Sequence, residues 1–71
     1  MAWRRYTKAD RAAIAADYQQ SADRAQKIAD RLTADGKTTA AGIHRRAAEE
    51  RREIADAARE SSDRLNQHFN D

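Results

Sequence analysis

The sequence predicts a small all-α protein. Its 71 residues include 17 alanines but no valine, proline or cysteine. Alanine favours helices, whereas sheets depend on β-branched and aromatic residues, so a β fold is excluded. Without cysteine there is neither a disulfide nor a thiolate metal site. No apolar run approaches the ~18 residues that span a membrane, and no apolar stretch follows the first residues as in a signal peptide. We therefore expect a soluble cytoplasmic protein of a bacterium or a phage-infected host cell.

The first helix is predicted to begin after Thr7. Thr7 and Asp10 have the spacing of a capping box, in which each side chain accepts a hydrogen bond from the backbone of the other residue. Ile14 and Tyr18 then lie four residues apart and share one face. Ser21 suits either the continuation of this helix or the cap of a new one, because no glycine or proline forces a break nearby. Two interpretations of this region, one helix or two, remain open.

A turn is predicted at Gly36, because glycine favours the left-handed conformation that ends many helices. Thr38 or Thr39 then caps a long last helix, which no breaker interrupts between residues 39 and 65 except Gly42 in its first turn. Apolar residues recur along it every eleven positions, which is about three turns, and form one nearly straight stripe. The stripe consists of Ile43, Ala47, Ile54, Ala58, Leu65 and Phe69.

Two architectures are consistent with these elements. The first is a three-helix domain of the helix-turn-helix type, with helices near residues 8–19, 22–34 and 39–50 and the last one extended to about residue 68. The second is an antiparallel hairpin of two helices, 8–34 and 39–69. The hairpin is supported by apolar and small residues with heptad spacing across the supposed break. These residues are Ile14, Tyr18, Ser21, Ala25, Ile28 and Leu32.

Glu50 favours the three-helix domain. In a hairpin centred on Ile43 it would fall within the seam, where an unpaired carboxylate is costly. We therefore predict a helix-turn-helix domain over residues 1–52, with a basic N-terminal arm, and an acidic helical extension over residues 53–71.

Positive charge is concentrated in two blocks. Residues 1–11 hold four basic residues and one acidic residue, and residues 37–52 hold five basic and two acidic residues. Residues 53–71 hold two basic and five acidic residues. A basic patch indicates a polyanionic partner, although a solvated helix surface rich in ion pairs is the alternative interpretation.

The region from Tyr6 to Arg46 resembles the Myb/SANT-like, homeodomain-like tri-helical DNA-binding domains, particularly the small bacterial and phage versions. The matching residues are Tyr6-Thr7, Asp10, Ile14 and Tyr18 around the first helix, Ile28-Ala29 and Leu32 in the second, and Thr38, Thr39, Ala40, Ile43, His44 and Arg45 in the third. Ile28, Ala29 and Leu32, followed by a turn and a Thr-capped helix, also form a helix-turn-helix pattern by themselves.

The resemblance implies a transcriptional regulator or recombination accessory factor that reads duplex DNA with the helix at 39–52. Its recognition face would lie opposite Ile43, with Arg45 contacting guanine, the helix N-terminus contacting phosphate and the N-terminal arm in the minor groove. The candidate DNA-binding residues are Arg4, Arg5, Lys37, Thr38, Thr39, Ala41, Gly42, Arg45, Arg46 and Arg52.

Several apolar residues beyond position 52 have no partner in a three-helix core. They predict a homodimer, or a contact with a host protein, through Ile54, Ala58, Leu65 and Phe69. The alternative function is a helical protein-interaction module, such as a phage-encoded inhibitor of a host protein. We expect no enzymatic activity, no cofactor, no small-molecule substrate and no metal site, since the two histidines lie 24 positions apart with no cysteine nearby.

Overall fold

The computed structural model describes residues 3–69, which form three helices and no strand. Helix α1 is Lys8–Ala34, α2 is Thr38–Glu60 and α3 is Ser62–Phe69. α1 and α2 pack side by side in opposite directions. Arg45 reaches Thr33 beside the connecting turn, and Arg11 reaches Ala58 at the far, open end of the pair. The two long helices are therefore an antiparallel hairpin.

The all-α class is confirmed, but the helix boundaries differ from those predicted for the three-helix domain. α1 continues through Ser21, so the predicted break between two helices in this region is wrong. The reason is that Ala22, just after the supposed break, is fully buried against α2. The boundary predicted between residues 52 and 53 lies inside α2, which ends at Glu60. The helix-turn-helix arrangement is not confirmed, and the helices follow the hairpin alternative up to residue 60.

The predicted start of α1 is confirmed by both hydrogen bonds of the capping box. The Thr7 hydroxyl oxygen accepts from the Asp10 backbone N–H at 3.0 Å, and the Asp10 carboxylate accepts from the Thr7 backbone N–H at 3.1 Å. The hydrogen bond from the Thr7 backbone, reinforced by the Thr7 side chain, lowers the pKa of the Asp10 carboxyl below its ordinary value. The charged form of Asp10 therefore stabilises the helix start.

The predicted turn at Gly36 is confirmed as well. Gly36 has a φ of 76°, which an L-residue with a side chain rarely adopts. The backbone N–H of Gly36 donates to the Thr33 carbonyl, and that of Lys37 donates to the Leu32 carbonyl at 2.8 Å. This is the Schellman pattern, which satisfies the last carbonyls of α1 and reverses the chain.

Alanine forms the seam between α1 and α2. Every seventh residue of α1 is a buried alanine, at positions 15, 22 and 29, and the same holds for positions 41, 48 and 55 of α2. A seven-residue spacing keeps one line of residues facing a partner helix. Because an alanine side chain ends at Cβ, the two helix axes approach closely. Glu50 is exposed, so it gives no argument against the hairpin: the seam follows Ala41 and Ala48 rather than Ile43.

α2 ends at residue 60 because its final carbonyls are satisfied by α1. The Arg11 guanidinium donates to the carbonyl of Ala58 at 2.8 Å and to that of Arg59 at 2.9 Å. Ser61 is extended, and its hydroxyl oxygen accepts from the Arg64 backbone N–H at 3.1 Å, which caps α3. The chain therefore folds back instead of continuing as one helix.

α3 covers the open end of the hairpin. Its Leu65 is fully buried with Ala15 and Ala58, and Ile14 and Ile54 pack around this cluster. On the next turn of α3 the Phe69 ring lies 5.9 Å from the Tyr18 ring, measured between centroids. At the open end, the large apolar side chains that do not fit between α1 and α2 thus gather beneath α3.

The segment before α1 is bound to α3 by side chains. Asn66 is 1% exposed; its Oδ1 accepts from the Arg4 backbone N–H at 2.8 Å, and its Nδ2 donates to the Arg4 carbonyl at 2.6 Å. Ser62 accepts from the Tyr6 backbone N–H at 3.0 Å. An amide side chain therefore pairs with this segment as a neighbouring strand would.

Ala48→Leu is expected to lower the free energy of unfolding by about 1–3 kcal/mol, because the larger side chain forces the two axes apart. The measurement is urea unfolding followed by circular dichroism. Ala13→Leu, at an exposed position of α1, is the matched control and should change stability by less than about 0.5 kcal/mol. Equal stability of the two variants would show that the helices do not meet at position 48.

Asn66→Ala is expected to lower the free energy of unfolding by about 1–3 kcal/mol. The substitution removes the acceptor of the Arg4 backbone N–H and the closer donor to the Arg4 carbonyl, which keeps only the Ser62 hydroxyl at 3.4 Å. Hydrogen exchange of the Arg4 backbone amide should accelerate. The Ala48 amide in the seam should remain among the slowest to exchange, as in the wild-type protein. Gln67→Ala changes the exposed neighbour and is the control. Unchanged exchange at Arg4 would contradict the pairing.

Candidate interaction surface

The apolar residues outside the seam lie on one side of the hairpin. Ile14 of α1 and Ile54 of α2 both pack against the cluster around Leu65, so the flanks of the two helices that carry them face the same way. By helical spacing, the α1 flank continues towards the turn through Ile28 and Leu32, and the α2 flank through Ala40 and Ala47. α3 covers only the half of this side that lies at the open end.

The half nearer the turn is not covered by any described part of the chain. Ile43 is 66% exposed and Ile28 is 45% exposed, whereas Leu32, Ala40 and Ala47 are half-buried. We call these five residues the turn-end face. Its floor consists of these half-buried residues together with half-buried His44, which by helical spacing lies between Ala40 and Ala47, and the two isoleucines form its rims. Adjacent exposed apolar residues on a small protein mark an interaction site.

Positive charge borders the turn-end face. Arg24 and Arg31 lie one turn to either side of Ile28 on α1, and Arg46 lies one turn after Ile43 on α2. Glu50 is the acidic residue next along the same edge of α2, and all four of these side chains are exposed. A partner surface with acidic residues around an apolar centre is complementary to this arrangement.

The opposite side of the hairpin is polar and holds the two helices together. The Arg45 guanidinium donates to the Thr33 hydroxyl at 3.1 Å, and the Arg59 guanidinium donates to the Gln19 side-chain oxygen at 3.1 Å. Arg52 lies midway between these two arginines on the same edge of α2. Two predicted DNA-binding arginines, Arg45 and Arg52, are therefore on the side of the hairpin that bears these cross-helix hydrogen bonds.

The predicted recognition face is wrong in orientation. Ala41 is 1% exposed because it lies in the seam, so it cannot contact DNA, whereas Ile43, placed at the centre of the core, points outwards. Gly42 is half-buried, and a Cβ added there would meet no atom. The remaining predicted residues of this region are exposed around the turn: Lys37, Thr38, Thr39, Arg45 and Arg46.

The structure does not bring the basic N-terminal arm to that cluster. Arg4 and Arg5 are exposed at the open end, where the Arg4 backbone is paired with Asn66 and its guanidinium lies 5.2 Å from the centre of the Tyr6 ring. The turn is at the other end of a molecule whose longest dimension is 44 Å. The arm and the turn therefore do not form one surface.

The residues predicted to form a dimer or partner interface are packed within the chain itself. Ala58 and Leu65 are fully buried inside the chain, and Ile54 and Phe69 pack against the same cluster. Their partner is the open end of the hairpin, which becomes available because the chain reverses at Ser61. The exposure of Ile28 and Ile43 has a different cause: the alanine heptads, and not the predicted stripe of large residues, form the contact between α1 and α2.

Two classes of site are not found in the described part of the chain. No group of three or more His, Cys, Asp or Glu side chains is placed to hold a metal ion. None of the helices between residues 3 and 69 has the length and apolar content needed to cross a membrane.

No protein-family model, curated protein or solved structure matches this chain.

Proposed function

We propose that the protein is a helical interaction module that binds an amphipathic helix on its turn-end face. The observation that carries this proposal is the exposure of Ile28 and Ile43 on the same side that α3 covers at the open end. α3 illustrates the mode of binding, because its Leu65 and Phe69 lie four residues apart and cover the floor beside Ala58.

The chemistry of the face indicates what such a helix must carry. Burying an exposed isoleucine contributes about 1.5–3 kcal/mol at most, so Ile28 and Ile43 are sufficient anchors for reversible binding. Arg24, Arg31 and Arg46 at the rims favour acidic residues on either side of the partner's apolar stripe. Helix-in-groove recognition uses this combination of spaced apolar anchors and flanking charges.

The four isoleucines provide the test, because Ile14 and Ile54 lie beneath α3 whereas Ile28 and Ile43 lie on the turn-end face. The protein, labelled at the isoleucine methyl groups, is titrated with a three-turn helical peptide that carries Leu and Phe four residues apart between glutamates. The methyl resonances of Ile28 and Ile43 should shift, and those of Ile14 and Ile54 should not.

Ile43→Asp should lower the affinity for this peptide at least about tenfold. A tenfold change corresponds to about 1.4 kcal/mol, which is less than the free energy gained by burying an isoleucine side chain. Ala13→Asp, on an exposed part of α1 away from the face, is the matched control and should leave the affinity unchanged. Shifts confined to Ile14 and Ile54, or no shift at all, would refute helix binding at this face.

We also propose binding of duplex DNA at the turn, as a transcriptional regulator or recombination accessory factor. The observation that favours it is the exposure of Lys37, Thr38, Thr39 and Arg46 around the start of α2. Backbone N–H groups at a helix start favour phosphate oxygens, and the nearby cations add a sequence-independent attraction.

A salt titration of duplex binding tests this second function. Binding should weaken steeply as salt rises, and Lys37→Ala with Arg46→Ala should reduce the slope of log affinity against log salt by about two, one for each lost phosphate contact. Arg64→Ala, at an exposed position of α3, is the control and should leave the slope unchanged. Absence of binding to any duplex at low salt would eliminate this function.

A further inference from the structure

We propose that His44 and Arg51 form a carboxylate-binding site in the floor of the turn-end face, so that the partner helix carries an acidic residue within its apolar stripe. This inference rests on the proposed interaction function and names the chemistry of the partner. Both side chains are half-buried, and both carry N–H donors.

One line of residues along α2 places both side chains on the apolar side of the hairpin. Arg51 lies seven positions, about two turns, before Ala58, and His44 lies seven positions before Arg51. Ala58 is fully buried with Leu65 beneath α3, so this line faces the apolar side. At the open end the line therefore holds an alanine that α3 covers, and nearer the turn it holds two nitrogen-bearing side chains.

Neither side chain has an acidic neighbour on α2. The neighbours of a residue on a helix surface are those three and four positions away. For His44 and Arg51 these positions hold only apolar residues, namely Ala40, Ala41, Ala47, Ala48, Ile54 and Ala55. The other arginines of α2 each have an acidic residue at such a spacing: Arg45, Arg46, Arg52 and Arg59. Arg51 is therefore the arginine of this helix whose charge is not balanced locally.

α1 brings no acidic side chain to this line either. The cross-helix hydrogen bonds near the two ends of α2 set the register, which puts Arg51 level with Ala25 and His44 level with Leu32. The residues on this flank of α1 are all uncharged: Ser21, Ala25, Ile28 and Leu32. The described part of α3 ends with Phe69 against an aromatic ring of α1, about two turns nearer the open end than Ala25.

The donors on this line need an acceptor once the face is covered. Neither His44 nor Arg51 makes a hydrogen bond or an ion pair within residues 3–69. A helix that covered them with apolar side chains alone would remove these donors from water without replacing the lost hydrogen bonds, which weakens binding. A carboxylate avoids this loss, because it accepts paired hydrogen bonds from a guanidinium and has further capacity for an imidazole N–H.

Three peptides test the site by isothermal titration calorimetry with the full chain. Each is a three-turn helix whose apolar stripe has Leu and Phe four residues apart in its two middle places and one further place at each end. Glu takes the place before Leu in the first peptide and the place after Phe in the second, with Gln at the other end, so that both directions of binding are sampled. Gln takes both places in the third. One of the Glu peptides should bind at least about fivefold more tightly than the Gln peptide.

Arg51→Gln should abolish this preference, so that the Glu and Gln peptides bind equally within about twofold, and His44→Ala should reduce it. Arg52→Gln is the matched control. It removes the same charge from the next position, which is also half-buried but lies on the edge that bears the cross-helix hydrogen bonds, and it should leave the preference intact. The helical circular dichroism spectrum of all three variants should equal that of the wild-type protein.

Equal affinity for the Glu and Gln peptides, with the methyl resonances of Ile28 and Ile43 still shifting, overturns the carboxylate site and leaves the interaction function standing. If no peptide shifts those resonances, both fail. A preference for Glu that survives Arg51→Gln, or that Arg52→Gln removes as well, also overturns the site, because the general positive charge of α2 then accounts for it. A preference that is unchanged in His44→Ala overturns the part assigned to His44.

Discussion

The close approach of two alanine-lined helices determines the rest of this structure. Because the seam at Ala22 and Ala48 is only one methyl group deep on each side, no large side chain fits between α1 and α2. The large apolar residues of the two helices are therefore displaced to one flank of the hairpin: Ile14, Tyr18, Ile28, Leu32, Ile43 and Ile54. A protein that holds its helices together with alanine thus acquires an apolar side that something else has to cover.

α3 covers only part of that apolar side, and its own stability depends on contacts with the rest of the chain. Eight residues are too few for an isolated helix in water, so α3 depends on its anchors in the hairpin. Leu65 supplies apolar contact, Asn66 binds the segment before α1, and Ser61 caps the helix start. At ~1.5 Å per residue α3 is about 12 Å long, against about 40 Å for α1, so the turn end of the hairpin stays open.

Two of the three local signals in the sequence predict the elements they control. The third, a Thr38 or Thr39 cap on the last helix, is wrong, because the N-cap of α2 is Lys37, whose side chain makes no capping hydrogen bond. The capping box at Thr7 and the left-handed glycine at position 36 act within a few residues, and both are found as predicted. The seam was within reach of sequence reasoning too, since the seven-residue alanine spacing is visible in the sequence. The prediction that Ile43 lies at the centre of the core is wrong, because a large side chain cannot occupy so narrow a seam.

Other features depend on contacts between distant residues. α2 ends where Arg11, some 47 positions earlier in the chain, donates to its final carbonyls, and no glycine or proline marks that point. The pairing of Asn66 with Arg4 is equally non-local. Of the candidate site, the positive charge near the turn was predicted. The exposure of Ile28 and Ile43 was not, because it follows from the placement of the seam.

The pairing of Arg4 with Asn66 also determines which end of the hairpin lies farthest from the two ends of the described chain. It fixes the first and last described segments together at the open end, so the turn is the part of the hairpin farthest from both. A sequence fused to either end, or a surface to which either end is tethered, would lie behind the hairpin. The turn-end face would then be presented outwards on a rigid two-helix stalk.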